Sequence, residues 1–232
     1  MLQFNGRPDG LGNRIEELIN IESYCIQQDV SCNYYWNNIY NFRSYPILLN
    51  CKNIIIQDKE KHTNVNLKLT FGEFENNQMS NASKNINYYE QINTDISYIS
   101  IHIRSTDKLN NRGKDEFTYE YFIDKFNNTI YYLNNILNET NIYIASDDIK
   151  YKNNLINKLN KNFKLVDPFI NTIRDPIYRD YFSLVNSTKI IMIPKFSSFA
   201  ASASLLGNNI LLSHCDEKET SLYRYKCNIQ YI

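Results

Sequence analysis

The chain of 232 residues carries no surplus of either charge, since Lys plus Arg and Asp plus Glu each number 25 and no block of like charge occurs anywhere. Nothing in so balanced a charge points to DNA or RNA, so nucleic acid is not an expected partner. No apolar run approaches the ~18 residues needed to cross a bilayer. The opening segment, Met1 to Asp9, also lacks the basic and apolar regions of a signal peptide. The expectation is a cytoplasmic protein with no transmembrane segment. Paired cysteines are missing too. The five (Cys25, Cys32, Cys51, Cys215, Cys227) are odd in number, widely spaced and without a C-x-x-C pair, and three histidines are few partners for a metal site. Reduced, buried thiols are therefore expected.

What the chain does have is a regular alternation of short apolar runs and helical periodicities. A strand over Leu2 to Phe4 leads through a glycine-containing loop, Gly6 to Asn13, into a helix on which Ile15, Leu18, Ile19, Ile21, Cys25 and Ile26 recur. Strands at Val30–Trp36 and Asn53–Ile56 complete a small βαβ layer. Residues 57–95 are polar, and the Asn76–Asn81 stretch offers little to bury, which places a linker or excursion there.

From Tyr98 onward the alternation sharpens. Strands are expected at Tyr98–Ile103, Ile142–Ala145, Phe163–Val166, Lys189–Ile193 and Ile210–Leu212. Helices are expected at Tyr119–Leu137, Ile149–Leu159, Pro176–Val185 and Ser198–Leu206. Such a pattern makes a parallel sheet with helices on both faces. The fold class is α/β, with a small βαβ layer and polar linker over residues 1–95 and a parallel sheet over residues 96–232; two Rossmann-like halves are what the resemblance below implies.

In open parallel sheets ligands lie beyond the carboxyl ends of the strands, where helix N-termini present free amides. The polar residues of this chain collect at those ends. Gly10-Leu11-Gly12-Asn13 joins strand to helix, a turn that lets an anion approach the backbone, or an ordinary turn with an Asn cap. His102-Ile103-Arg104-Ser105-Thr106-Asp107-Lys108 ends a buried-looking strand in cations, and a guanidinium there suits a diphosphate. Read alone, His102 is a core histidine as readily as a ligand contact, and Arg104 with Asp107 could be a salt bridge. Asp147 and Asp148 follow another strand, while Ser197 and Ser198 open a helix. Each of these can cap a helix or bind a ligand.

Taken together, Gly-Leu-Gly-Asn at 10–13, His-Ile-Arg-Ser-Thr-Asp-Lys at 102–108, Ser-Asp-Asp at 146–148, Arg-Asp-Tyr-Phe-Ser-Leu at 179–184 and Phe-Ser-Ser-Phe at 196–199 resemble the fucosyltransferase superfamily. That group includes the core α1,6-, nodulation-type, α1,2- and protein O-fucosyltransferases. The motifs run in the same order along nearly the whole chain.

The resemblance implies a GT-B-like pair of Rossmann halves, with a nucleotide sugar, GDP-fucose, held mainly by residues 96–232 and the acceptor side formed by residues 1–95. It implies inverting transfer of fucose to a glycan or other hydroxyl acceptor, with no metal and no cofactor. An apolar-flanked Asp-x-Asp, the mark of metal-dependent single-domain transferases, is also absent from the sequence. Arg104 matches the arginine on the donor β-phosphate, Lys108 the lysine of the same strand end, and His102 the histidine near the nucleoside. Gly12 and Asn13 match the loop that reaches the diphosphate, Asp180 the aspartate near guanine, and Ser197 and Ser198 the phosphate-binding serines. Asp148 is carried as a donor contact.

Asp115 and Glu116 are the candidates for a general base by their position after the strand-end motif. One departure stands out: where some relatives carry a second arginine, this chain has Ser105, so part of the phosphate grip is either missing or supplied elsewhere, with Arg7 and Arg14 the candidates. Two rival readings share the fold, a transferase using another nucleotide sugar such as a rhamnosyl donor, and a relative that binds nucleotide or glycan without turnover.

Overall fold

The computed structural model describes residues 2–6, 10–36, 49–57, 76–88, 96–105, 118–160, 162–194, 197–215 and 227–232. The N-terminal part contains β1 (Leu2–Asn5), α1 (Leu11–Gln28), β2 (Cys32–Tyr35), β3 (Leu49–Cys51), β4 (Ile54–Gln57), α2 (Asn76–Ser83) and β5 (Ile86–Tyr88). β1, β2 and β4 form a parallel sheet in that order, and β3 pairs antiparallel with β5. Helix α1 ends where Asp29 turns left-handed at φ 52°, and the Val30 amide closes the end by donating to the Cys25 carbonyl at 3.0 Å.

The expected linker needs correction at residues 76–88. Although its Asn and Ser content lowers helix propensity, Met79 and Ala82 fall three apart on one face, and α2 buries both completely against its neighbours. Ser23 of α1 lies 3.7 Å from the Met79 sulfur. Glu22 of α1 also accepts hydrogen bonds from the side chains of Asn53 and Asn85, at 2.8 and 3.0 Å, tying this excursion to the first layer.

The C-terminal part follows the expected alternation: β6 (Ile99–Ile103), α3 (Tyr119–Asn135), β7 (Asn141–Ser146), α4 (Ile149–Lys158), β8 (Lys164–Leu165), α5 (Pro176–Val185), β9 (Lys189–Ile193), α6 (Ser198–Gly207) and β10 (Ile210–Ser213). A further strand, β11 (Ile229–Tyr231), extends the edge. All six strands are parallel, in the order β11-β10-β9-β6-β7-β8. Pleat alternation divides the sheet between two cores. Ile99, Ile101, Ile103, Ile142, Ile144, Ile191 and Ile193 meet Phe122, Phe126 and Leu133 of α3 on one face. Tyr143, Ala145, Ile190 and Met192 on the other face share a single core with α1, α2, α5, α6 and the first sheet.

Helix α6 lies at the centre of that shared core. Its sequence, Ser-Phe-Ala-Ala-Ser-Ala-Ser-Leu-Leu-Gly, is nearly all small residues, which lets α1, α2, α5, β9 and β10 pack around it. Its far end is fixed by Asn209, whose side-chain amide lies within 2.8–3.1 Å of the Leu184, Val185 and Ser187 carbonyls. Asn209→Leu keeps the branched shape and takes the donor from the Val185 and Ser187 carbonyls, while the Leu184 carbonyl keeps its bonds from Ser187. It should lower unfolding free energy by on the order of 1–3 kcal/mol in a denaturant titration, and an unchanged midpoint would refute the tie.

Candidate functional site

Strand order locates the site. From β6 the chain winds outward through β7 and β8, returns, and winds the other way through β9, β10 and β11, so the order reverses between β6 and β9. Loops leaving two such strands part from each other and open a crevice at their carboxyl ends. Ile103 is registered against Ile193 at this junction, and the Arg104 amide continues the ladder by donating to the Ile193 carbonyl at 3.0 Å. Pleating puts Ser100 and His102 on the face of the shared core and gives Arg104 the same side. Ser100 donates to the Ser183 carbonyl at 3.1 Å, His102 is buried, and Arg104, at the open end, is half-buried.

The N-terminal layer reaches the same place through one close contact. A Cβ built on Gly12 would lie 2.4 Å from the Phe199 nitrogen and 2.5 Å from the Ser198 carbonyl carbon. The first turn of α1 therefore touches the first turn of α6 backbone to backbone, an approach open only to glycine. Phe199 in turn stacks on the His102 ring, with centroids 5.3 Å apart and planes at 20°, and meets Tyr181 edge-on at 5.0 Å. His102, Phe199, Ser198 and Gly12 thus form one chain of contacts, with Arg104 two residues beyond His102 at the end of β6, Ser197 at the start of α6, and Asn13 half-buried next to Gly12. Ser197 is the α6 N-cap, its hydroxyl accepting from the Ala200 amide at 3.4 Å. First-turn amides such as those of Ser198 and Phe199 have no carbonyl partner within their own helix, which is what an anion site requires.

The adjacent acids differ in role. The Asp148 carboxylate caps α4, accepting from the Lys150 amide at 2.8 Å. The Asp147 carboxylate instead crosses to β6 and accepts from Ser105. Farther along the same face, the Tyr143 hydroxyl donates to Asp180. Burial raises the Asp180 carboxyl above the usual carboxylate range, opposed by that hydrogen bond and by the nearby charges of Lys152 and Arg179. Burial, together with the Asp180 charge, also pushes the Tyr143 phenol upward.

Arg14 does not share the open rim. Its guanidinium is buried and stacked over Trp36, 4.8 Å from the ring centroid. Arg7, Asp107, Lys108, Asp115 and Glu116 lie outside the described residues. All five cysteines are free and buried. No helix among the described residues is long and apolar enough to cross a membrane. Sequence reasoning gave Tyr143 no part, and Phe199 only its place in the 196–199 motif; the contacts to Asp180 and His102 set these two aromatics apart.

No protein-family model matches the chain, and no curated protein matches it. Solved structures do. The chain is similar to the fucosyltransferase NodZ from Bradyrhizobium, with a TM-score of 0.57, 10% identity, and coverage of 88% of this chain and 93% of that one. It is similar to NodZ α1,6-fucosyltransferase soaked with GDP-fucose, with a TM-score of 0.55, 11% identity, and coverage of 88% and 92%. A mutant of Arabidopsis thaliana FUT1 in complex with GDP matches with a TM-score of 0.50 and 9% identity, over 95% of this chain and 71% of that one. Identities this low speak to architecture alone, and on that ground the chain shares the α/β fold of these solved fucosyltransferase structures.

Proposed function

We propose that this chain is a glycosyltransferase that moves fucose from GDP-fucose to a hydroxyl of a glycan or other acceptor, by single displacement with inversion and without a metal ion. The observation that supports it best is that the first turns of α1 and α6 touch, and that His102 stacks on Phe199 of that turn while Arg104 follows on the same strand where the strand order reverses. In this reading residues 96–232 hold the donor and residues 1–95 face the acceptor. His102 and Phe199 wall the nucleoside side, and Asp180, oriented by Tyr143, accepts from guanine.

The acceptor oxygen attacks the anomeric carbon as the bond to the β-phosphate oxygen breaks, and GDP departs with the electron pair. Arg104, Lys108 and the amides of Ser198 and Phe199 compensate the charge that grows on the leaving diphosphate, with Asn13 bonding to it from α1. Asp115 or Glu116 takes the proton of the acceptor hydroxyl.

A donor screen tests this. Purified protein is incubated with GDP-fucose, GDP-mannose, UDP-linked and dTDP-linked sugars, with and without EDTA, while nucleotide release and melting temperature are measured. Release of GDP from GDP-fucose alone, undiminished by EDTA, is the expected result. Consumption of a dTDP-sugar would shift the reading to a rhamnosyl-type donor, stabilisation by nucleotide without release would make the protein a binding module, and no response to any donor would refute all three.

A further inference from the structure

We infer that Asp147 is a positioning residue for Arg104, acting through a clamp on the main chain at Ser105. The inference rests on the donor-site reading just given. Both carboxylate oxygens of Asp147 take part: Oδ1 accepts from the Ser105 amide at 2.9 Å and from the Ser105 hydroxyl at 3.1 Å, and Oδ2 lies 3.2 Å from the same amide. The Asp147 amide returns a hydrogen bond to the Ile103 carbonyl at 3.4 Å. On the other side of β6, the Arg104 amide is held by Ile193 of β9. The peptide groups flanking the Arg104 Cα are therefore pinned from two different strands at the open end of the sheet, and the reach of the guanidinium is left to its side-chain torsions alone.

Two features separate this clamp from ordinary loop closure. Helix α4 draws its N-cap from Asp148, so Asp147 is not needed to start the helix that follows it. Ser105 is almost wholly buried at 1% exposure, and its hydroxyl supplies the second donor that a carboxylate needs for a three-bond grip on one residue. A charged acceptor makes such bonds stronger than a neutral one would. A diphosphate contact is sensitive to displacement of the donor group by as little as an ångström, and this is the degree of freedom the clamp removes.

The test is a double-mutant cycle on the full chain, read by calorimetric GDP binding and by GDP-fucose turnover, with amide hydrogen exchange at Ser105 measured alongside. Asp147→Ala should weaken both binding and turnover by roughly tenfold or more, since misplacement of a positioning group is costly, and should speed exchange of the Ser105 amide. Asp147→Asn, which keeps an acceptor for that amide, should recover part of the loss. In an Arg104→Ala background, Asp147→Ala should add little, because the group it positions is gone. Equal losses in both backgrounds would make Asp147 an independent contributor and overturn the inference, as would an Asp147→Ala protein whose Ser105 amide stays fully protected. A wild-type chain that binds no GDP would instead sink the donor-site reading, and the exchange measurement then reports on the clamp separately.

Discussion

Arg104→Ala should reduce kcat/KM for GDP-fucose by about 30- to 1,000-fold, equivalent to ~2–4 kcal/mol of lost transition-state stabilisation, with the melting temperature nearly unchanged. The size follows from what the side chain would do: donate charge-assisted, paired hydrogen bonds to a phosphate whose negative charge grows as the sugar leaves. The fold should tolerate the change because Arg104 is joined to β9 through its main-chain amide, which alanine retains. Arg104→Lys keeps the charge and loses the fork, so it should fall between wild type and alanine. Steady-state kinetics with a melting curve for each variant decide the matter. Full turnover in the alanine variant would remove the guanidinium from the mechanism.

Gly12→Ala should be the most damaging small substitution in the N-terminal layer. Its new methyl group would sit 2.4 Å from the Phe199 nitrogen and 2.5 Å from both the Phe199 Cα and the Ser198 carbonyl carbon. These are backbone atoms at the start of a packed helix, unable to swing aside as a side-chain tip could. Either α1 withdraws from α6 or both helices shift, at a cost of about 3 kcal/mol for overpacking of this kind. For a chain of this length that corresponds to a fall in melting temperature of roughly 6–12 °C. Donor affinity should fall with it, because the displaced turns are those proposed to bind the diphosphate. Gly10→Ala is the matched control: a Cβ there meets nothing within 4 Å and the residue has φ −62°, so its stability should match wild type. Comparable melting curves for the two variants would show that the close approach of α1 to α6 does not matter.

These two positions also show what the sequence discloses and what it withholds. The β9 and α5 boundaries fall where their apolar patterns end, because each element buries a continuous run in the sheet or against it. By contrast β3, β5 and β11 are three residues long, too short to carry a period, and β3 finds β5 only by pairing across a long stretch of chain. Helix α2 was hidden for a related reason, since two buried side chains in an Asn-rich segment look like loop until α1 is set against them.

At the site, the strand-end position of Arg104 was legible because a buried apolar strand that stops at a cation has few explanations. The task of Gly12 was not, since a glycine needed for a turn and a glycine needed for helix contact are the same letter. Nor could the chain say which of two neighbouring acids would cap α4 and which would cross to Ser105. That division depends on the register of β6 against β7, where Ile103 stands opposite Ser146.

The small side chains of α6 bear on how this protein could be divided or rebuilt. A fragment beginning near residue 96 would carry α6 and its buried Ala200, Ala201 and Ala203 without α1 and α2, which pack against that helix, presenting water with an apolar face of the sort that drives self-association. Any transplant of the C-terminal half to another scaffold must bring α1 along or recoat that face with polar residues. The natural seam of the molecule therefore does not run between its two parallel sheets, and the first thirty residues belong to the core of the C-terminal half as much as its own strands do.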